Sequence, residues 1–239
     1  MADLEFYFDP ICPFAWMTSK WVRLVAARRD YEVTWKFISL RLVNAEVDYA
    51  THFPPDYERV HTAGLELLRV AAAVRRDRDG AAVAGLYAAY GAELFDSSPE
   101  RGQELHRDTR AFVAPILGRL GLPSGTVDAV DDTTLDALIR AETERALELT
   151  GRDVGTPVLH FDPPDGTALF GPVISRLPSP DDAVELWDHV IALSRFGGFA
   201  ELKRSLRETP QLRAFGVEDG AVGVAEDWHQ GHRRAAVPS

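Results

Sequence analysis

Apolar and aromatic residues crowd the start of the chain. Leu4, Phe6, Tyr7 and Phe8 read as a buried strand. Asp9-Pro10 ends it, because Pro10 lacks a ladder donor and biases Asp9 away from helix. Over 13–29, Phe14, Trp16, Trp21, Leu24 and Val25 recur at helical spacing, with Lys20, Arg23, Arg28 and Arg29 between them. Residues 31–38 then alternate apolar and polar, the mark of a half-buried strand. Strand, helix and strand make a βαβ unit, whose crossover should be right-handed.

Residues 39–54 read as a connection. From Asp56 to about Leu149 the pattern is helical and carries no strand signal. It predicts helices over 55–77, 79–94, 99–120 and 132–149. Asp79-Gly80 and Gly121-Leu122-Pro123 punctuate them. Gly125-Thr126 and Asp131-Asp132 stand before helix starts, where capping side chains and negative charge are favoured. The alanines at 71–73 and 81–84 suit close helix packing. After Gly155, segments 157–161 and 167–170 flank the turn residues 162–166 and predict an antiparallel hairpin. A helix is expected over 180–194, with Val184, Trp187, Val190 and Ile191 on one side. Gly197-Gly198 ends it, and a short helix should follow over 199–207. The pattern then fades, so 216–239 reads as a loosely held tail. The organisation predicted is an α/β domain made of 1–50 and 151–215, with an all-helical subdomain, 51–150, inserted between them.

Charge narrows the partners. The 239 residues carry 26 Lys+Arg against 37 Asp+Glu, a net charge of -11. That balance argues against nucleic acid or an anionic membrane as the main partner. No apolar run approaches the roughly 20 residues a membrane helix needs, and no basic segment precedes an apolar stretch as in a signal peptide. One cysteine cannot form an intramolecular disulfide, so nothing indicates an oxidising compartment. The expected location is the cytoplasm.

That cysteine is Cys12. Pro13 follows it, and Pro suits the first helical position, where no N–H bond would form anyway. The sulfur should therefore sit at a helix N-terminus, where free N–H groups and the dipole favour a thiolate. Pro13 also removes an N–H beside the sulfur. The competing reading is a small buried hydrophobe. No Gly-rich phosphate loop, Ser-His-Asp signature or GxGxxG is present. His229 and His232, beside Arg233 and Arg234, resemble half a metal site. Without further ligands at the right spacing they read as tail residues, and no metal is expected.

The stretch FYFDPICPFAW resembles the active-site segment of DsbA-type thioredoxin-fold proteins. To about residue 210 the chain is similar to the actinobacterial branch of mycothiol-dependent reductases. Val154-Gly155-Thr156-Pro157 and Leu169-Phe170-Gly171-Pro172-Val173 carry that likeness, as do Leu186-Trp187-Asp188 and 199–204. The resemblance implies a thioredoxin-like α/β fold with a large helical insertion. It implies mycothiol or a similar low-molecular-weight thiol as cofactor, and small disulfides or nitro- or quinone-type molecules as substrates. It also implies that Thr156-Pro157 is a cis-proline loop facing Cys12, whose Thr156 backbone pairs with a thiol ligand. Relatives often pair through exposed helical faces, which leaves room for a homodimer.

This sequence departs from the family pattern Cys-Pro-x-Cys: the second position is Ala15. With no resolving sulfur, three routes remain. An external thiol could resolve a mixed disulfide, or reduce a sulfenic acid formed on Cys12. Alternatively, Cys12 could position the sulfur of a bound thiol cofactor in an isomerase or S-transferase. A non-catalytic binding module with a disabled motif is the reading from a different class. Phe14 should cover the sulfur on its solvent side, and Trp16 should pack inward, with stacking on a substrate as its functional alternative. Tyr57, His61 and Arg69 share a helix face that either lines the pocket or is solvated. Relatives tend to have a His near Phe95, so the pocket here should be less polar.

Overall fold

The computed structural model describes residues 3–204, 206–229 and 232–233. Its main sheet has four strands in the order β2-β1-β3-β4. Strand β1 (Leu4–Phe8) pairs in parallel with β2 (Val33–Phe37), Leu4 opposite Val33 and Phe8 opposite Phe37. On its other side β1 runs antiparallel to β3 (Val158–Phe161), which forms a hairpin with β4 (Ala168–Phe170). Helix α1 (Pro13–Ala26) is the crossover between β1 and β2.

The strand period sorts the side chains of β1. Leu4, Phe6 and Phe8 enter the main core, whereas Tyr7 joins a separate cluster with Ile38, Ala146 and Val158. Each fully buried aromatic or aliphatic side chain contributes roughly 1.5–3 kcal/mol. Near one end of the strand Phe8 stacks on Tyr87, with ring centroids 3.8 Å apart, and Trp35 meets Phe8 edge-on at 6.2 Å. Trp21 of α1 donates to the Ala183 carbonyl at 2.8 Å and meets Trp187 edge-on, which fixes α9 (Asp182–Ser194) against α1.

Between β2 and β3 the backbone is helical. The expected connection over 39–54 contains two short helices, α2 (Leu40–Val43) and α3 (Tyr49–His52). Helices α4 (Tyr57–Asp77) and α5 (Gly80–Phe95) follow. The single helix expected over 99–120 is two, α6 (Pro99–Arg107) and α7 (Thr109–Arg119). Asp108 makes the break: its backbone is extended, and its side chain accepts from Ala111 N at 3.1 Å as the cap of α7. Residues 124–131 and 133–135 form 3₁₀ turns, so α8 (Asp136–Thr150) begins later than the charge pattern suggests. Among the described residues no helix is long and apolar enough to cross a membrane.

The C-terminal part differs most from expectation. Among the described residues of 199–207 there is no helix. Instead β5 (Leu206–Glu208) pairs antiparallel with β6 (Ala225–His229), and β6 pairs with β7 (His232–Arg233). Part of the expected 216–239 tail is held as well: Val217 is buried, and 225–229 form β6. Leu212 is buried in the main core, and Phe215 meets Phe95 of α5. Three-residue strands are too short to show a period, and their partners lie far along the chain, so local patterning misses them. The suspected half metal site falls at the end of this hairpin. The His229, His232 and Arg233 side chains, and Arg234, lie outside the described residues.

Candidate active site

Cys12 is the N-cap of α1, with Pro13 at the first helical position, as the Cys-Pro pair predicts. Its sulfur has two backbone partners. Ala15 N donates to Sγ at 3.4 Å, and the thiol donates to the Thr156 carbonyl at 3.4 Å. The Thr156-Pro157 peptide bond is cis, and Thr156 Oγ1 donates to the Tyr7 carbonyl at 3.2 Å, tying this loop to β1. Two segments distant in sequence thus meet at one sulfur.

The thiol is enclosed. Cys12 is 8% exposed and packs with Phe14 and Ala15, flanked by Leu40 of α2 and Val173. Thr18 Oγ1 donates to the Pro172 carbonyl at 2.7 Å, which holds the Val173 segment against α1. Phe14 is itself buried in this cluster, and the Arg207 guanidinium lies 5.6 Å from the Phe14 ring centroid.

Burial changes the expected acidity. Desolvation foremost, joined by the nearby Asp9 carboxylate, pushes the Cys12 thiol up to about 12. The Ala15 and Phe14 N–H groups and the Arg207 cation act the other way. The thiolate expected from the helix terminus alone is therefore not the state this closed geometry favours. The partial charge of a helix end contributes about 0.3–1 kcal/mol, too little to offset removal of the anion from water.

Sequence reasoning took Asp9 only as a strand stop, yet it organises the loop. Its carboxyl is fully buried, with Oδ1 accepting from Ile11 N at 3.1 Å and Oδ2 from Leu40 N at 2.7 Å. Its own carbonyl accepts from Cys12 N at 3.1 Å. Desolvation raises its pKa to about 7, against the lowering effect of the two N–H groups. Gly64 of α4 makes room: a Cβ there would lie 2.6 Å from Asp9 Oδ1. The only local signal was a charged residue inside an apolar run. Leu40, Val173 and Arg207 carried no such signal.

Three other expectations meet the structure as follows. Trp16 does not face the sulfur; it packs between α1 and α5, edge-on to Tyr87, and donates to Asp96 at 3.2 Å. Phe95 is buried in the main core. The face carrying Tyr57, His61 and Arg69 divides. Arg69 turns away into a two-pronged ion pair with Asp136 at 2.6 and 2.8 Å. His61 is buried one turn from Gly64 and bonds the Tyr49 hydroxyl at 2.9 Å. The rings of Tyr49, Phe53 and Tyr57 surround it at 5.3–5.7 Å. One turn further along α4, Gly64 meets Asp9 and Ile11 of the 9–11 loop. Among the described residues no three His, Cys, Asp or Glu side chains are grouped to hold a metal ion.

A family model described as the Rv2466c-like mycothiol-dependent nitroreductases matches residues 11–204, which include the cysteine, the cis-proline loop and the helices between them. The chain belongs to this family. Membership places it among thiol-dependent oxidoreductases. A Mycobacterium tuberculosis relative described as the uncharacterized protein Rv2286c is 32% identical over 205 residues, covering 85% of this chain and 82% of its own. Two solved structures at 15% identity share the fold. One is a 2-hydroxychromene-2-carboxylate isomerase, with TM-score 0.51 over 80% of this chain and 96% of that one. The other is the cytosolic disulfide reductase DsbM of Pseudomonas aeruginosa with GSH, with TM-score 0.50 over 79% and 98%. The fold is thus the DsbA-like, thioredoxin-type α/β arrangement.

Proposed function

We propose that this member of the Rv2466c-like family is a monothiol oxidoreductase: Cys12 forms a mixed disulfide with a low-molecular-weight thiol, mycothiol by family. One observation carries the reading. The Cys12 sulfur is held between a helix N–H and the Thr156 carbonyl, beside a cis-proline loop. After loss of its proton to solvent, the Cys12 thiolate attacks one sulfur of a small disulfide. The S–S bond breaks, a Cys12–S–S–R bond forms, and R–S⁻ leaves. A second external thiolate then attacks the adduct, releases Cys12 as thiolate and leaves as the new disulfide. The two electrons come from the external thiols, since Ala15 and the absence of any other cysteine rule out an internal dithiol.

Cys12 is the nucleophile in this reading. Pro13, Phe14 and Ala15 shape its surroundings, and the Thr156 and Pro157 backbone receives the ligand. Tyr57 and His61 wall the substrate side, and Trp16 is a core residue. Disulfides or nitro- or quinone-type small molecules in the cytoplasm are the substrate class. Residues 1–50 and 151–215 serve as the thioredoxin-like part around the helical unit. A second reading is favoured by the missing second sulfur and the enclosed, protonated thiol: Cys12 positions the sulfur of a bound thiol cofactor for isomerisation or transfer.

Intact mass spectrometry after incubation with oxidised mycothiol or glutathione tests the proposal. One adduct on the wild type, absent from Cys12→Ser, is the expected result. No adduct at any pH overturns the redox reading and leaves the cofactor-positioning one. Ala15→Cys should convert the protein to intramolecular cycling, read as loss of the adduct and of two free thiols.

A further inference from the structure

The family match ends at residue 204, and the chain beyond it returns to the site. The chain is anchored just after Arg207 by two contacts. Glu208 pairs with Arg176 at 3.2 Å, and Gln211 N donates to the Ser175 carbonyl at 2.7 Å. Both anchors fall on the segment whose Val173 packs against the cluster of Cys12, Phe14 and Ala15. Further along, Leu212 is buried in the main core. The second strand holds the first in place: Thr209 N donates to the Val224 carbonyl at 2.8 Å, and Thr209 Oγ1 donates to Glu226 at 2.8 Å. Gly223 permits this approach, since a Cβ there would lie 2.1 Å from the Thr209 carbonyl oxygen.

Arg207 is thereby fixed half-buried, with its guanidinium over the Phe14 ring, which packs in one cluster with Cys12. It is a cation within electrostatic reach of Cys12 in a protein of net charge -11. The charged and titratable groups around this place are Asp9 in the β1–α1 loop, Tyr87 on α5, and Glu226 opposite Arg207 in the hairpin register. Asp9 disfavours a sulfur anion and Arg207 favours it.

We propose that Arg207 is a further positioning residue of the site: the C-terminal hairpin lays its cation across Phe14, where it favours the Cys12 sulfur anion during attack on a disulfide and during release. The inference rests on the proposed function. It assigns a share of that chemistry to a segment outside the family match.

The test is the rate of Cys12 alkylation by iodoacetamide from pH 6 to 11, for wild type, Arg207→Gln and Arg207→Lys. Thermal melting confirms that each variant is folded. Arg207→Gln should move the profile to higher pH and slow alkylation at pH 8 by about threefold or more, the change that half a pH unit makes. Arg207→Lys should recover most of the rate. In the wild type alone, raising salt from 0.05 to 1 M should slow alkylation, because salt weakens a partly exposed cation. Coincident profiles for wild type and Arg207→Gln, or a faster Arg207→Gln, overturn this inference and leave the proposed function standing. A wild-type thiol that stays unmodified across the whole range overturns both.

Discussion

At Asp9, burial and two backbone N–H bonds pull in opposite directions, and burial prevails, raising the carboxyl to about pH 7. The ordinary value for Asp is near 3.9, so the folded protein holds this proton more tightly than the unfolded chain does. Its stabilising effect is full below about pH 4 and is lost as pH rises through about 7. Asp9→Asn removes the titration. The stability of the variant relative to wild type should therefore rise between pH 4 and 8, by up to a few kcal/mol, as read by urea unfolding at each pH. The variant also removes the anion that opposes ionisation of Cys12. Its alkylation profile should move to lower pH, the reverse of the Arg207→Gln shift. The sequence alone could locate Cys12, because Cys-Pro after a strand has a local cause. It could not give the acidity, which depends on Leu40, Val173 and the hairpin closing around the sulfur.

Helices in this protein meet where a residue is missing a side chain or supplies a cap. A Cβ on Gly91 would lie 2.2 Å from the Trp16 ring, so α5 can reach α1 only with glycine there. Gly91→Ala should cost about 1–3 kcal/mol by overpacking, measured by denaturant unfolding, with a change in tryptophan fluorescence. Asp108 closes α6 and caps α7, and Asp108→Ala should cost about 1 kcal/mol in the same assay. The long periodic helices were legible from 3.6-residue spacing. The break at Asp108 was not, since an Asp inside an apolar repeat reads as a solvated position unless its backbone is seen to be extended. The strands β1 to β4 were legible for the opposite reason: each shows its own alternation or apolar run, and β1, β3 and β4 are also bounded by Pro, Gly or Asp.

Across the whole molecule, the four-stranded sheet and its helical cover follow from local signals joined in chain order. The return of the C-terminal hairpin to the active site does not. It depends on contacts between residues far apart, such as Gln211 with Ser175 and Arg176 with Glu208. Gly223→Ala should loosen that hairpin, since the added carbon meets backbone rather than a movable side chain. Faster tryptic cleavage between residues 203 and 214, with an unchanged melting midpoint for the rest of the fold, is the expected outcome. The lone sulfur has a further consequence, in the timing of release. A neighbouring thiol in the same molecule acts at effective molarities far above any concentration in solution. Without one, the lifetime of an adduct on Cys12 scales inversely with the concentration of free thiol around it. In the proposed monothiol cycle, the clock for each turnover then sits in the surrounding medium rather than in the protein.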